Sequence, residues 1–281
     1  MGIVNIGNDS VADPLSLETL DMQVEFALRQ SAAGAHILDI GAQSGRTDTA
    51  VLPEQQEIER LIPLVRVLAE RDLVVSVDTW RAGVAEAAIA AGAVLINDVG
   101  GLVDERLADV VGAAGAGLVV MHTRAAPKQA HFPGYEEATA DILAFLEQRM
   151  QLALSCGVAR EQIIVDPGLD YAKTPQESID VLRRLAELRQ LDRPILLAVS
   201  RKYFIGMLTG AQPEERLAGT LAAIDYGVGA GAHIVRVHDV AQVAEFLHVR
   251  SALRSDGAAQ LDGDPDDETL RWLAPKRALD V

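Results

Sequence analysis

The segment DLVVSVDTWRAGVAEAAIAAGAVLINDV, Asp72 to Val99, decides the fold. It opens with a short apolar, β-branched burst, passes through an alanine-rich stretch with helical spacing that stops at Gly92, and begins a second burst at Ala93. Neither burst alternates apolar with polar, so each reads as a strand buried on both faces, the pattern of a parallel sheet covered by helices. The unit recurs along the chain. Comparable bursts lie at GIVNI (2–6), AHILDIG (35–41), AGLVVMH (116–122), QIIVDPG (162–168), PILLAVS (194–200) and AHIVRVH (232–238), making eight candidate strands. Between them the spacing predicts helices over 16–34, 53–71, 82–92, 135–157, 175–190 and 213–231, several ending at a glycine suited to the C′ position: Gly34, Gly92, Gly157 and Gly231.

Eight βα units in roughly 250 residues fit a single-domain α/β protein built as a (β/α)8 TIM barrel. The alternative is an open doubly wound sheet, but the first strand is not followed by Gly-x-Gly-x-x-Gly. The barrel is expected over residues 1–254. The remainder, 255–281, is an acidic C-terminal tail in which TLRWLAPKRALDV could form one short helix.

Composition narrows the function. The 281 residues are 49% hydrophobic, enough for a large core, and the formal charge of −16 disfavours nonspecific attraction to nucleic acid or to an anionic membrane surface. The apolar runs are shorter than a membrane span and no signal-peptide pattern opens the chain, so a cytoplasmic location is expected. The single cysteine, Cys156, excludes an internal disulfide framework. In so acidic a chain, an anion must be bound by locally placed cations.

Catalytic residues of a TIM barrel sit at the C-terminal ends of its strands. Those ends here carry Asn5, Asp39, Asp78, Asn97 with Asp98, His122, Asp166, Ser200 to Lys202, and Arg236 with His238. Any one could cap the helix that follows. Eight together would point into one funnel, where buried polar groups are costly unless they meet partners. The middle strands supply acids and an amide (Asp78, Asn97, Asp166) suited to the donor edge of an amino-substituted heterocycle, while strands seven and eight supply cations (Arg201, Lys202, Arg236, His238) where this fold often binds phosphate. A phosphorylated heterocycle is the expected ligand. The competing reading of Arg236 and His238 is an ion pair with Asp239.

The blocks MGIVN, LDIG, SVDTW, INDVGG, VVMH, DPG, KTP, SRKYFIGMLTG, ERLAGTLAA and RVHDV occur in the order found in dihydropteroate synthases, and the sequence resembles that family over residues 1–254. The resemblance implies condensation of 6-hydroxymethyl-7,8-dihydropterin pyrophosphate with p-aminobenzoate, releasing pyrophosphate in folate biosynthesis, with Mg2+ and in a homodimer. By motif, Asp78, Asn97, Asp166 and Lys202 would hold the pterin between Val99 and Met121, and Asp78, Asp166 and Lys202 would serve catalysis. Asn5, Arg46, Arg236 and His238 would form the pyrophosphate end, with Asn5 also meeting the metal. The segments LAGTLAAIDYGVGAG (217–231) and VAQVAEFLHVRSAL (240–253) are rich in small residues that permit close packing in such a dimer.

Departures from the family pattern fall in the loops that shape the amine side. Its Asn-x-Thr-Pro-Asp-Ser-Phe becomes NIGNDSV here: Asn5, Asp9 and Ser10 remain, Gly7-Asn8 replaces Thr-Pro, and Val11 replaces the Phe. Its Gly-Glu-Ser-Thr-Arg-Pro-Gly becomes AQSGRTD: Ser44 and Arg46 remain, while Gly45 stands for the Thr. Beside the pterin, Gly-Phe-Gly becomes Asp170-Tyr171-Ala172. The loop changes predict weakened p-aminobenzoate binding. They also leave open a diverged paralogue that uses another amine, or a noncatalytic pterin-binding protein. The family usually carries a short segment ahead of the first strand, whereas here Met1 adjoins that strand.

Overall fold

In the computed structural model of the chain, which describes residues 1–7, 17–45 and 47–255, the strands wrap into a ring that leaves no open sheet edge. In chain order the elements are β1 (Gly2–Asn5), α1 (Leu20–Ala32), β2 (Leu38–Gly41), α2 (Glu54–Ala69), β3 (Val75–Asp78), α3 (Ala82–Ala90), β4 (Leu95–Asp98), α4 (Arg106–Ala114) and β5 (Gly117–Met121). Then follow α5 (Ala138–Ser155), β6 (Ile163–Asp166), α6 (Pro175–Arg183), β7 (Leu196–Leu197), α7 (Tyr203–Thr209), α8 (Leu217–Ala230), β8 (Ile234–Val235) and α9 (Val240–Arg254).

Strands β1 to β6 pair in sequence order, all parallel, and β7 pairs with β8. Two seams join these sheets. At one, Val165 N–H donates to the Pro194 carbonyl at 2.9 Å; at the other, Ile3 N–H donates to Val237 at 3.0 Å and Val237 N–H to Met1 at 3.0 Å. The ring is thereby closed as a (β/α)8 barrel.

The last two strands are shorter than their apolar runs. The Ile195 carbonyl accepts from both His233 N–H (2.9 Å) and Ile234 N–H (3.2 Å), while the Ile195 N–H donates to the His233 imidazole at 3.1 Å. A side chain thus takes a ladder position, and regular pairing is confined to two residues per strand.

Local signals set the helix ends. The four glycines expected at C′ have φ of 104°, 109°, 88° and 112° in chain order. Helix α6 starts in a capping box, with Thr174 N–H donating to Glu177 at 2.7 Å and Glu177 N–H returning to Thr174 Oγ1 at 3.2 Å, ahead of Pro175 at the first turn. Its helical spacing runs to Gln190, but the α-helix ends at Arg183 and a 3-10 segment continues over Leu185–Leu191.

By its contacts the chain divides into a unit from Met1 to Ala244, which holds the barrel, and a second from Glu245 to Val281. The division falls inside α9, ahead of the 254 boundary read from the sequence. The helix's buried residues are Val240 and Val243, and both precede it. The tail beyond Ser255 lies outside the described residues.

Candidate active site

Asp39, fully buried in β2, organises the barrel mouth. It accepts from Ser76 Oγ at 2.6 Å, Asn97 Nδ2 at 3.0 Å and Arg236 Nε at 2.6 Å. Arg236 also reaches Asp78 through Nη2 at 2.7 Å. One guanidinium from β8's end therefore bridges acids on β2 and β3, with Nη1 left unpartnered among the described residues. Burial pushes the Asp78 carboxyl up to about 7, the Arg236 charge opposing that rise. The expected competing pair of Arg236 with Asp239 does not form; Arg201 takes Asp239 instead, its Nε donating at 3.0 Å.

The two cations after β7 consequently do different work. Arg201 has a left-handed backbone (φ 58°) and its N–H donates to Thr220 Oγ1 at 3.0 Å, so it ties its own loop to Asp239 and α8. Lys202 places its ammonium 4.4 Å from the centre of the Tyr171 ring, a cation–π contact. Burial lowers the Lys202 pKa, with Asp170 and then Asp166 the strongest opposing charges. Asp166 is itself buried, accepts from Gly168 N–H at 2.7 Å, and has its pKa raised by burial. Gly168 is required there: φ is 65°, and a Cβ would collide with the His122 carbonyl oxygen.

The residues gather around adjoining cavities. One of about 260 Å3 is walled by Asn5, Ser44, Gly45, Asp78, Lys202, Arg236 and His238. A second, with only about 10 Å3 free, is walled by Asn97, Val99, Met121, Asp166, Lys202 and Arg236. A third, about 440 Å3, extends past Trp80, Val99, Thr123, Phe132 and Tyr203. Tyr171 lines all three, and a Cβ on Gly45 would run into its hydroxyl. Of the residues assigned to the pterin, Asn97, Val99, Met121, Asp166 and Lys202 line the second space, whereas Asp78 lines the first beside Asn5, Arg236 and His238; Lys202 and Arg236 line both.

His238 is neutral in this setting. Burial, then the Arg201 and Arg236 charges, hold its pKa down to about 3. Ser200 Oγ accepts from the His238 backbone N–H at 3.2 Å and lies 2.9 Å from the ring's Nδ1, so one serine anchors both the backbone and the imidazole of His238. Asn5 Oδ1 accepts from Gly7 N–H at 2.9 Å. Asn8, Asp9, Ser10, Val11 and Arg46 lie outside the described residues.

Residues 1–238 match the family described as pterin binding enzyme. The chain belongs to that family. It is 38% identical to a dihydropteroate synthase of Bacillus subtilis, covering 92% of this chain and 89% of that one. Solved structures of the Xanthomonas albilineans dihydropteroate synthase, one with 4-aminobenzoic acid and one with 7,8-dihydropteroate, share 35% identity and superpose with TM-scores of 0.84 and 0.81. Each covers 91% of this chain and 93% of that one.

Seen as a pterin binding enzyme, the chain has site residues that sequence reasoning left without a role. Lys173 is buried and its ammonium donates to His122 Nδ1 (2.8 Å), the Gly168 carbonyl (2.9 Å) and the Tyr171 carbonyl (3.0 Å). His122 Nε2 in turn donates to Asp141 at 2.8 Å. Burial, then the Lys173 charge, lowers the His122 pKa to about 3, so this contact is a hydrogen bond from a neutral ring rather than an ion pair. Lys173 stands in the KTP block, and its only local signal is a lysine directly before a helix cap. In the second loop, Gln43 Nε2 donates to buried Glu57 at 3.0 Å and Gln43 Oε1 accepts from Leu52 N–H at 3.2 Å, anchoring that loop to α2.

Proposed function

We propose that this pterin binding enzyme is a dihydropteroate synthase, a transferase that joins 6-hydroxymethyl-7,8-dihydropterin pyrophosphate to p-aminobenzoate and releases pyrophosphate. The observation that carries the reading is the convergence of acids and cations on adjoining spaces at the C-terminal mouth of the barrel, with Lys202 and Arg236 common to both.

The Asp166 carboxylate and the Asn97 amide receive the donor edge of the pterin, against Met121 and Val99. The C–O bond to pyrophosphate breaks with its electron pair leaving on oxygen. Arg236 and Lys202 are already in place to neutralise that charge without reorganisation, with the His238 ring on the same wall. Positive charge developing on the pterin methylene is stabilised by the Asp78 and Asp166 carboxylates. The amine's lone pair then forms the C–N bond, and its surplus proton passes to pyrophosphate or solvent. An aromatic amine needs little activation.

Magnesium belongs to the proposal. Among the described residues no cluster of three or more His, Cys, Asp or Glu could hold a metal ion. The residues fit Mg2+ through one protein oxygen, Asn5 Oδ1 on the wall of the 260 Å3 cavity, since this ion commonly takes one or two protein ligands beside substrate phosphates. When bound, the ion would supply further charge neutralisation to the leaving group.

A homodimer and a cytoplasmic location complete the reading. Small residues along α8 allow close packing in a dimer, and no helix among the described residues is long and apolar enough to cross a membrane. Light scattering at the monomer mass across micromolar concentrations would reject the dimer. Incubation with Mg2+, dihydropterin pyrophosphate and p-aminobenzoate tests the activity: dihydropteroate and free pyrophosphate are expected in equal amounts. Pterin binding without either product would instead support the noncatalytic alternative.

A further inference from the structure

The tripeptide Asp170-Tyr171-Ala172 replaces Gly-Phe-Gly, yet its backbone keeps the shape that glycine permits. Asp170 has φ 64° and Ala172 has φ 52°, both left-handed. A non-glycine residue stays in that region only where its surroundings hold it. For Asp170 the hold is visible on both sides of the residue. Its N–H donates to Ser178 Oγ of α6 at 3.0 Å, and its Oδ2 accepts from the backbone N–H of Tyr203 and, at 3.4 Å, of Phe204. Those two amides begin α7. Lys202 is that helix's N-cap residue, and its own side chain makes no capping bond.

We infer that Asp170 is a positioning residue for Lys202: its carboxylate latches the loop after β6 to the start of α7 and so fixes the lysine shared by the pterin and pyrophosphate spaces. The inference rests on the pterin reading of the site. Lys202 is then held twice by one tripeptide, through its backbone by the Asp170 latch and through its ammonium by the Tyr171 ring. Asp170 Oδ1 is buried without a hydrogen-bond partner, so the side chain is retained at this place despite an unsatisfied acceptor. A glycine here would relieve the backbone and lose the latch; an asparagine would keep both the left-handed tolerance and an acceptor oxygen.

Asp170→Gly and Asp170→Asn therefore separate backbone shape from latch. In the full chain with Mg2+, Asp170→Gly is expected to melt no lower than wild type, to lose about tenfold of the exchange protection at the Tyr203 and Phe204 amides, and to bind dihydropterin pyrophosphate about tenfold more weakly. Asp170→Asn should restore protection and affinity to within about threefold of wild type. Wild-type affinity in Asp170→Gly, or Asp170→Asn as weak as Asp170→Gly, overturns the inference. Should wild type bind no pterin pyrophosphate, the site reading fails on its own, and the exchange contrast still decides whether Asp170 holds α7.

Discussion

Arg236 has two duties, and substitution has to be read with both in mind. Its charge is the counter-ion of fully buried Asp39 and bridges to Asp78. Removing one partner of such a pair leaves an uncompensated buried charge, which costs about 3–5 kcal/mol. Arg236→Ala should therefore lower the urea midpoint substantially as well as weaken pyrophosphate binding in calorimetry. Weak binding in a protein of unchanged stability would mean that the guanidinium serves the anion alone. The sequence told that Arg236 enters the funnel, because it stands at a strand end. It did not tell the partners, since Asp39 and Asp78 are 197 and 158 residues away and only the closed ring brings them near. Tyr171 was likewise legible as a departure and illegible in consequence, because its place against Gly45 and Lys202 depends on three separate loops.

Among the elements, α6 and α7 mark how far local signals reach. Helix α6 was readable from Lys-Thr-Pro followed by a glutamate, and its capping box forms as that pattern requires. Thr174→Ala should cost about 1 kcal/mol, read as a lower melting temperature. Because Glu177 also accepts from Tyr135 N–H at 3.3 Å, and keeps that contact, the segment that leads into α5 should retain its exchange protection. Helix α7 carries no comparable cue. It spans only seven residues, has no acid in its first turn, and takes its cap from Asp170 in the neighbouring loop after β6. A window of sequence cannot contain that bond. The curtailed β7 and β8 have a similar cause, a histidine side chain occupying a ladder position that an apolar run gives no hint of.

For the molecule as a whole, eight buried apolar runs alternating with segments of helical spacing made the barrel legible, while each of its two seams is an isolated bridge that no periodicity reveals. Acid stability is set at the same scale, by groups that folding buries. The pKa of His122 falls from 6.5 to about 3 in the folded chain, so between those values the unfolded chain binds a proton that the native one refuses. Its contribution is fully present above pH 6.5 and is lost as pH falls toward 3. The difference in unfolding free energy between wild type and His122→Asn should change by about 1.4 kcal/mol per pH unit across that window. A difference that does not vary with pH would show that the ring is protonated in the native state.

The seams also order the events of synthesis. Asp39, Asp78 and Asp166 belong to the six-stranded part of the wall, whereas Lys202, Arg236 and His238 arrive with or after the two-stranded ribbon. A nascent chain that has emerged only as far as β6 carries three inward carboxylates and none of these cations. It cannot bury those acids as charged groups until the ribbon docks. Completion of the wall and completion of the anion site are then a single event, and a chain interrupted before residue 236 gains neither.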